Sequence, residues 1–196
     1  YLISPNHIID NSFYKNLNLV LKSNKVSYFQ LRLKKESIKK KVIIAKKILQ
    51  ICKKNKVKLI INDDPNLALK VNAHGCHLGQ KDMNIFDARK ILKNKIIGVT
   101  CHNSIKLAKI ALLSGADYIA LGAFFKTKTK KVTHKANIKS LIKIKKLINL
   151  PVVVIGGIND KNYKKLLLNK ADFLAISSYI WNNKKFKPQQ AIKHLI

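Results

Sequence analysis

Short apolar runs rich in β-forming residues alternate with longer amphipathic stretches eight times along this chain, and that alternation leaves few folds open. The runs lie at 1–3, 27–31, 57–61, 75–78, 96–100, 118–121, 152–155 and 173–176. Between them, apolar residues return at spacings of three and four, as in Ile38, Val42, Ala45, Leu49 and Cys52, which places them on one helix face. The runs are too short and too uniformly apolar for a sheet with one wet face. The helical stretches are long enough to be right-handed crossovers between parallel strands. Eight such units predict a single α/β domain over 1–196, a (β/α)8 TIM barrel, compact because 196 residues falls below the usual length for that fold. An open doubly wound sheet is the alternative. Ser37, Asn103 or Ser104, and Asn159 stand where helix N-caps are expected, since their side chains can accept from otherwise orphan amides.

The charge is lopsided, with 40 Lys and Arg against 9 Asp and Glu and a formal net charge of +31. Such a balance ordinarily points to nucleic acid or an anionic surface. Here the cations are almost all lysine, spread over every expected helix, and Ile and Asn are also heavily used, as A/T-rich codons would produce. Specific nucleic-acid binding is therefore not expected. Lysine also interrupts every apolar stretch before it could span a membrane, and the opening residues carry no secretory pattern. Cys52, Cys76 and Cys101 are odd in number and form no CxxC pair, so a reduced, cytoplasmic setting is expected. The neighbours Cys76-His77 and Cys101-His102 invite a metal or thiol-nucleophile reading. Adjacent strand residues face opposite ways, so neither pair is expected to act as one.

If the runs close a barrel, the residues just after each strand share one rim, where barrel enzymes place their chemistry. After the second run, Gln30, Arg32 and Lys34 alternate onto one side. Arginine occurs elsewhere only at Arg89, so Arg32 marks a place where a planar bidentate fork matters. Asn62-Asp63-Asp64 follows the third run and Gly79-Gln80-Lys81-Asp82 the fourth. In a chain this poor in carboxylates, three on adjacent loops form a candidate Mg²⁺ site; the plainer alternative is N-capping by Asp63 or Asp64 and by Asp82. After the sixth run, Lys126-Thr127-Lys128-Thr129-Lys130 has a phosphate-gripping composition. Gly156-Gly157 lets backbone amides approach an anion, with the following helix N-terminus aimed at it, and Ser177 and Ser178 add donors. Two phosphate regions on one rim imply two phosphorylated ligands.

In this order and on these strand ends, the motifs resemble the thiamine-phosphate synthase family through essentially the whole chain. The resemblance rests on Gln30-Leu31-Arg32-Leu33-Lys34, Asn62-Asp63, His77-Leu78-Gly79-Gln80-Lys81-Asp82, Gly98-Val99-Thr100-Cys101-His102, Thr127 to Lys130 and Ile155-Gly156-Gly157-Ile158. It implies a barrel that joins 4-amino-2-methyl-5-hydroxymethylpyrimidine diphosphate to 4-methyl-5-(2-phosphoethyl)thiazole, giving thiamine phosphate and pyrophosphate. It further implies that Gln30, Arg32, Lys34 and Asn62 hold the diphosphate, with Arg32, Lys34 and Lys130 catalytic, and that Asp63 and Asp82 ligate Mg²⁺. Thr100 would lie near the pyrimidine and diphosphate, Thr127 and Thr129 at the thiazole phosphate, and Gly157, Ser177 and Ser178 would form that phosphate's cradle.

The chain departs from the family pattern at His74, where aspartate is common, at Lys126, where proline is common, and at Phe173, where glycine is common. None of these is an implied ligand, so altered packing or loop stiffness is expected. The nearest rival is a thiazole tautomerase-like relative, which needs only the thiazole-phosphate half and for which His102 could move protons. A basic nucleic-acid-binding barrel is the alternative from another class, yet Phe124, Phe125 and Trp181 read as core or loop anchors rather than a stacking surface. Oligomeric state is not legible.

Overall fold

The computed structural model describes residues 1–8, 10–127 and 134–195. Eight strands, β1 (Leu2–Ile3), β2 (Tyr28–Leu31), β3 (Lys58–Asn62), β4 (Gly75–Leu78), β5 (Ile96–His102), β6 (Tyr118–Gly122), β7 (Val152–Ile155) and β8 (Phe173–Ala175), pair in sequence order. Every pairing is parallel. Ile176 closes the ring against β1, donating to Tyr1 O at 3.0 Å and accepting from Ile3 N at 2.8 Å. The barrel expected from the eightfold alternation is therefore the fold, its strand order running β1 to β8 and returning to β1 through Ile176, unlike the doubly wound alternative.

Helices α1 (Ser12–Leu21), α2 (Ile38–Lys54), α3 (Pro65–Lys70), α4 (Ile85–Leu92), α5 (Ile105–Leu113), α6 (Ile138–Leu147), α7 (Tyr163–Leu168), α8 (Ser178–Trp181) and α9 (Pro188–Ala191) lie around the strands. Their apolar faces and the outward strand residues, among them Phe29, Leu59, Ile61, Ile97 and Ile119, form one continuous core. A separate cluster of Ile3, Tyr118, Ala120, Val153 and Ala175 fills the barrel itself. Burying a Leu- or Phe-sized side chain in such layers contributes about 1.5–3 kcal/mol. Along α2 the buried face is Ile44, Ala45, Ile48, Leu49 and Cys52, with Val42 half-buried. Ile38, expected on that face, is 51% exposed. A helix of 17 residues is longer than the strands it returns along, so its first turn overhangs the barrel.

Ser37 caps α2 and Ser104, not Asn103, caps α5. Asp64 takes the capping role at α3, accepting from Leu67 N at 2.9 Å, which releases Asp63 from it. Asn84 rather than Asp82 caps α4. Asn159 is not a cap: its carboxamide accepts from Lys161 N in a local turn, and α7 begins only at Tyr163. The three cysteines are buried, Cys76 and Cys101 on the outer side of the barrel wall. Burial pushes the Cys52 and Cys101 thiols up to about 12 and raises Cys76 further, so none is a nucleophile. Trp181 is an anchor, its indole N–H donating to Ile3 O at 2.7 Å, and Phe124 and Phe125 pack on the outer core. Among the described residues no helix is long and apolar enough to cross a membrane.

Candidate active site

The C-terminal strand ends open into one mouth. A cavity of about 170 Å³ there is lined by Arg32, Thr100, Thr127, Gly157, Ser177 and Ser178, together with His102 and His134. Lys34, Asn62 and Asp63 line an adjoining depression beside the ends of β2 and β3. Thr129 and Lys130 lie outside the described residues. Gln30 is placed differently from its neighbours in the motif. It is 3% exposed, inside the barrel, and its carboxamide donates to the Tyr1 hydroxyl at 3.1 Å. Strand alternation does put Gln30 and Arg32 on the same side, but one pleat deeper is below the mouth.

Arg32 is held from two directions. Its backbone N–H donates to Ser4 Oγ at 2.9 Å, so Ser4 extends the β1–β2 pairing past the strand ends. Its guanidinium donates to Asn6 Oδ1 at 2.8 Å. Burial lowers the Arg32 pKa and nearby Asp63 counters that shift. Asp63 also pairs with Lys34 at 3.1 Å. It sits in the left-handed region at φ 65°, a conformation few residues other than Gly, Asn and Asp adopt cheaply. Asp82 Oδ2 accepts from Gly79 N at 2.7 Å. Burial first, and then contact with Asp63, raise the Asp82 carboxyl above the usual carboxylate range. Two carboxylates thus converge between two cations.

The other side of the mouth is built from backbone. Gly156 and Gly157 have φ 107° and 63°, and a Cβ on Gly156 would meet that of Ala123 at 2.5 Å. Only glycines turn the chain this way here. Asn162 holds the turn by donating to Gly157 O at 3.0 Å. The expected helix N-terminus does not stand directly behind this turn, because α7 starts later. Ser177 Oγ donates to Ser4 O at 3.2 Å, which ties the end of β8 to the end of β1.

The register shift between Thr100 and His102 is a bulge, a device that re-aims side chains at a strand's end. His102 packs against His134 with the rings tilted and their centroids 4.2 Å apart, and Asn103 donates to Lys135 O at 2.9 Å, so the end of β5 grips the chain returning from the loop after β6. Ser4, Asn6, His134 and Asn162 carry no motif and lie far from their partners in sequence or in unpatterned loops. Gln80, which donates to Thr100 O at 2.5 Å, stood within a motif but beside a more conspicuous aspartate.

A family model described as thiamine monophosphate synthase matches residues 1–180. The thiamine-phosphate synthase of Pelagibacter ubique is 67% identical over 195 residues, covering 100% of this chain and 94% of the relative. That of Clostridium tetani is 43% identical over 159 residues, covering 81% and 76%. Among solved structures, a thiamine phosphate pyrophosphorylase from Pyrococcus furiosus superposes with a TM-score of 0.88 at 28% identity, covering 100% of this chain and 92% of that one. A 3-hexulose-6-phosphate synthase, at TM-score 0.70 and 16% identity over 99% of this chain and 97% of its own, shares the barrel. The mouth's geometry and these likenesses converge, and the chain belongs to the thiamine-phosphate synthase family.

Proposed function

We propose that this mouth joins a pyrimidine methyl diphosphate to a thiazole bearing a phosphoethyl arm, giving thiamine phosphate and pyrophosphate. The observation that carries the reading is the pairing on one rim of a carboxylate-and-cation cluster with a backbone anion cradle. In the reaction the carbon–oxygen bond to the diphosphate breaks and its electron pair leaves on oxygen. The thiazole nitrogen's lone pair forms the new bond to the methylene carbon, so no general base is required.

Arg32 and Lys34 stabilise the negative charge that builds on the departing oxygens, and they are preorganised for it by Asn6, Ser4 and Asp63. Asn62 and Thr100 contact the pyrimidine diphosphate. Gly157, Ser177 and Ser178 hold the thiazole phosphate, which positions the ring nitrogen for attack and makes an encounter of two molecules effectively unimolecular. Thr127, Thr129 and Lys130 complete the two phosphate contacts from the loop after β6. Gln30 supports this surface from beneath through Tyr1 rather than touching the diphosphate.

Asp63 and Asp82 fit a hard divalent cation. Burial and then the adjacent Asp63 raise the Asp82 carboxyl, and an Mg²⁺ ion taking one or two carboxylates plus phosphate oxygens and water would relieve that conflict. Mg²⁺ held there would neutralise charge on the leaving diphosphate.

The test is to mix the purified protein with both substrates, with and without Mg²⁺, and follow pyrophosphate and thiamine phosphate. Metal-dependent formation of both products is expected. Silence from folded protein would overturn the reading in favour of thiazole tautomerisation, in which His102 beside His134 could move the protons.

A further inference from the structure

Among the described residues, the buried polar side chains other than tyrosine belong to Ser4, Gln30 and His77. Ser4 is accounted for by the strand-end clasp. Gln30 and His77 lie inside the barrel on a single chain of hydrogen bonds. Gln30 Nε2 meets Tyr1 Oη at 3.1 Å, Tyr1 Oη meets Tyr118 Oη at 2.7 Å, Tyr118 Oη meets His77 Nδ1 at 2.9 Å, and His77 Nε2 meets Thr100 Oγ1 at 2.9 Å. The chain runs from the packed interior to the wall of the substrate cavity, which Thr100 lines.

With Gln30 Nε2 facing Tyr1, one direction gives every proton in the chain an acceptor. An amide nitrogen only donates, so Tyr1 accepts from Gln30, and the proton of Tyr1 goes to Tyr118. Tyr118, having accepted, donates to His77 Nδ1, which puts the imidazole proton on Nε2. His77 Nε2–H then donates to Thr100 Oγ1. The reverse direction would give Tyr1 two donors and leave its own proton without an acceptor in the chain. Burial raises both phenols above their ordinary range, which keeps the two protons in place. The fold makes deliberate room for this arrangement, since a Cβ on Gly98 would collide with the Tyr118 ring. Thr100 is therefore fixed twice, its hydroxyl by His77 and its carbonyl by Gln80.

We propose that His77 is a positioning residue: held as its Nε2–H tautomer by the Tyr118–Tyr1–Gln30 chain, it occupies a lone pair of Thr100 Oγ1 and leaves that hydroxyl's proton directed at an acceptor on the bound pyrimidine diphosphate. The inference rests on the reading of Thr100 as a contact to that substrate. It makes the interior of the barrel part of the site's specificity for an acceptor atom.

Tyr118→Phe keeps the ring and removes the proton donor to His77 Nδ1. The imidazole is then free to carry its proton there, and Thr100 turns its hydroxyl inward. Nitrogen-15 histidine spectra of the full chain should show the Nε2–H tautomer for His77, lost in Tyr118→Phe. In the same variant kcat/KM for the pyrimidine diphosphate should fall about tenfold, as for one lost hydrogen bond, with KM for the thiazole phosphate unchanged. The fall should vanish in a Thr100→Val background and persist in Thr100→Ser, which keeps the hydroxyl. An Nδ1–H tautomer in an active wild-type enzyme overturns this inference alone. So does an equal Tyr118→Phe effect in the Thr100→Val background, which would mark a purely structural role. Absence of product from a wild type that shows the Nε2–H tautomer overturns the site reading, and with it the role of Thr100.

Discussion

The two ends of the barrel use the same kinds of side chain to opposite ends. At the floor, where the strands begin, Tyr1, Tyr28, Tyr118 and Phe173 pack ring against ring, with Tyr1 on Tyr28 at 5.7 Å and Tyr28 on Phe173 at 5.2 Å. Charged and polar groups there are spent on the backbone. Asp117 accepts from Ile97 N and Asp172 from Val152 N, each at 2.7 Å, while also taking Arg89 and Lys145 as partners. His74, at the equivalent step before β4, accepts from Leu59 N at 3.0 Å. At the mouth, by contrast, Asp63 and Asp82 face each other and Arg32 is partly buried. One end satisfies its groups and the other stores unfavourable arrangements that a charged ligand would relieve, as expected where stability and function are divided between the faces of one barrel.

If that division holds, losses at the mouth should appear in turnover and losses at the floor in stability. The largest effect is expected for Arg32→Ala, several hundredfold in kcat with the thermal midpoint nearly unchanged, about 3–4 kcal/mol of lost transition-state stabilisation. Steady-state kinetics beside a melting curve would check it, and near-normal turnover would remove Arg32 from the leaving-group contacts. Gly98→Ala should do the reverse. Its methyl group would displace the Tyr118 ring, costing about 1–3 kcal/mol of stability by overpacking, readable in a urea titration.

Asp82→Asn should move the Mg²⁺ titration of activity to higher concentration by roughly an order of magnitude, as for loss of one charged ligand. Because burial and Asp63 already oppose its charge, the same change should slightly raise the melting temperature of the metal-free protein. An unchanged metal titration would take Asp82 out of the cation site.

The smallest effect tests the floor at the one clamp that departs from aspartate. Burial, then the charges of Lys95, Lys58 and Lys53, lower the His74 pKa below its ordinary 6.5. The neutral acceptor is therefore favoured in the folded state. Its contribution is complete above about pH 6.5, where unfolded histidine is also neutral, and is lost as pH falls toward the folded value because the unfolded chain takes up the proton first. His74→Asp should flatten this loss of stability below pH 6.5, by less than about 1 kcal/mol for so accessible a group. Denaturation midpoints from pH 5 to 8 that keep the same slope in the variant would show that His74 does not carry it.

Much of this was legible before any coordinates. Strand β4 and strand β7 coincide with their apolar runs, 75–78 and 152–155; five others differ by one or two residues at one end, and β3 is shifted by one residue at both. Parallel strands buried on both faces must read as uninterrupted apolar runs, and that signal is local. Ser37 capping α2 was legible for the same reason. Asn159 was misread because a capping side chain and an Asx turn look alike in sequence, and the distinction depends on where the next helix packs.

The rim positions of Arg32, Thr100, Gly157 and Ser177 followed from knowing that one face of such a barrel collects every strand end. Gln30 did not follow. Alternation assigns a residue to the inside or outside of a strand, but depth along the barrel axis depends on the stagger of neighbouring strands, which no single segment encodes.

The sequence by itself determined the class of fold, the order of the strands and the residue types at the mouth, since periodicity and strand-end chemistry act within a few residues of one another. Only the tertiary structure decided that Asp63 and not Asp64 turns toward Asp82, that Ser4 and Asn6 hold Arg32, and that Tyr1, 117 residues from Tyr118, joins it in a hydrogen-bonded chain to Thr100. Those contacts arise from closing eight strands into a ring, which brings residues together by angle and height rather than by distance along the chain.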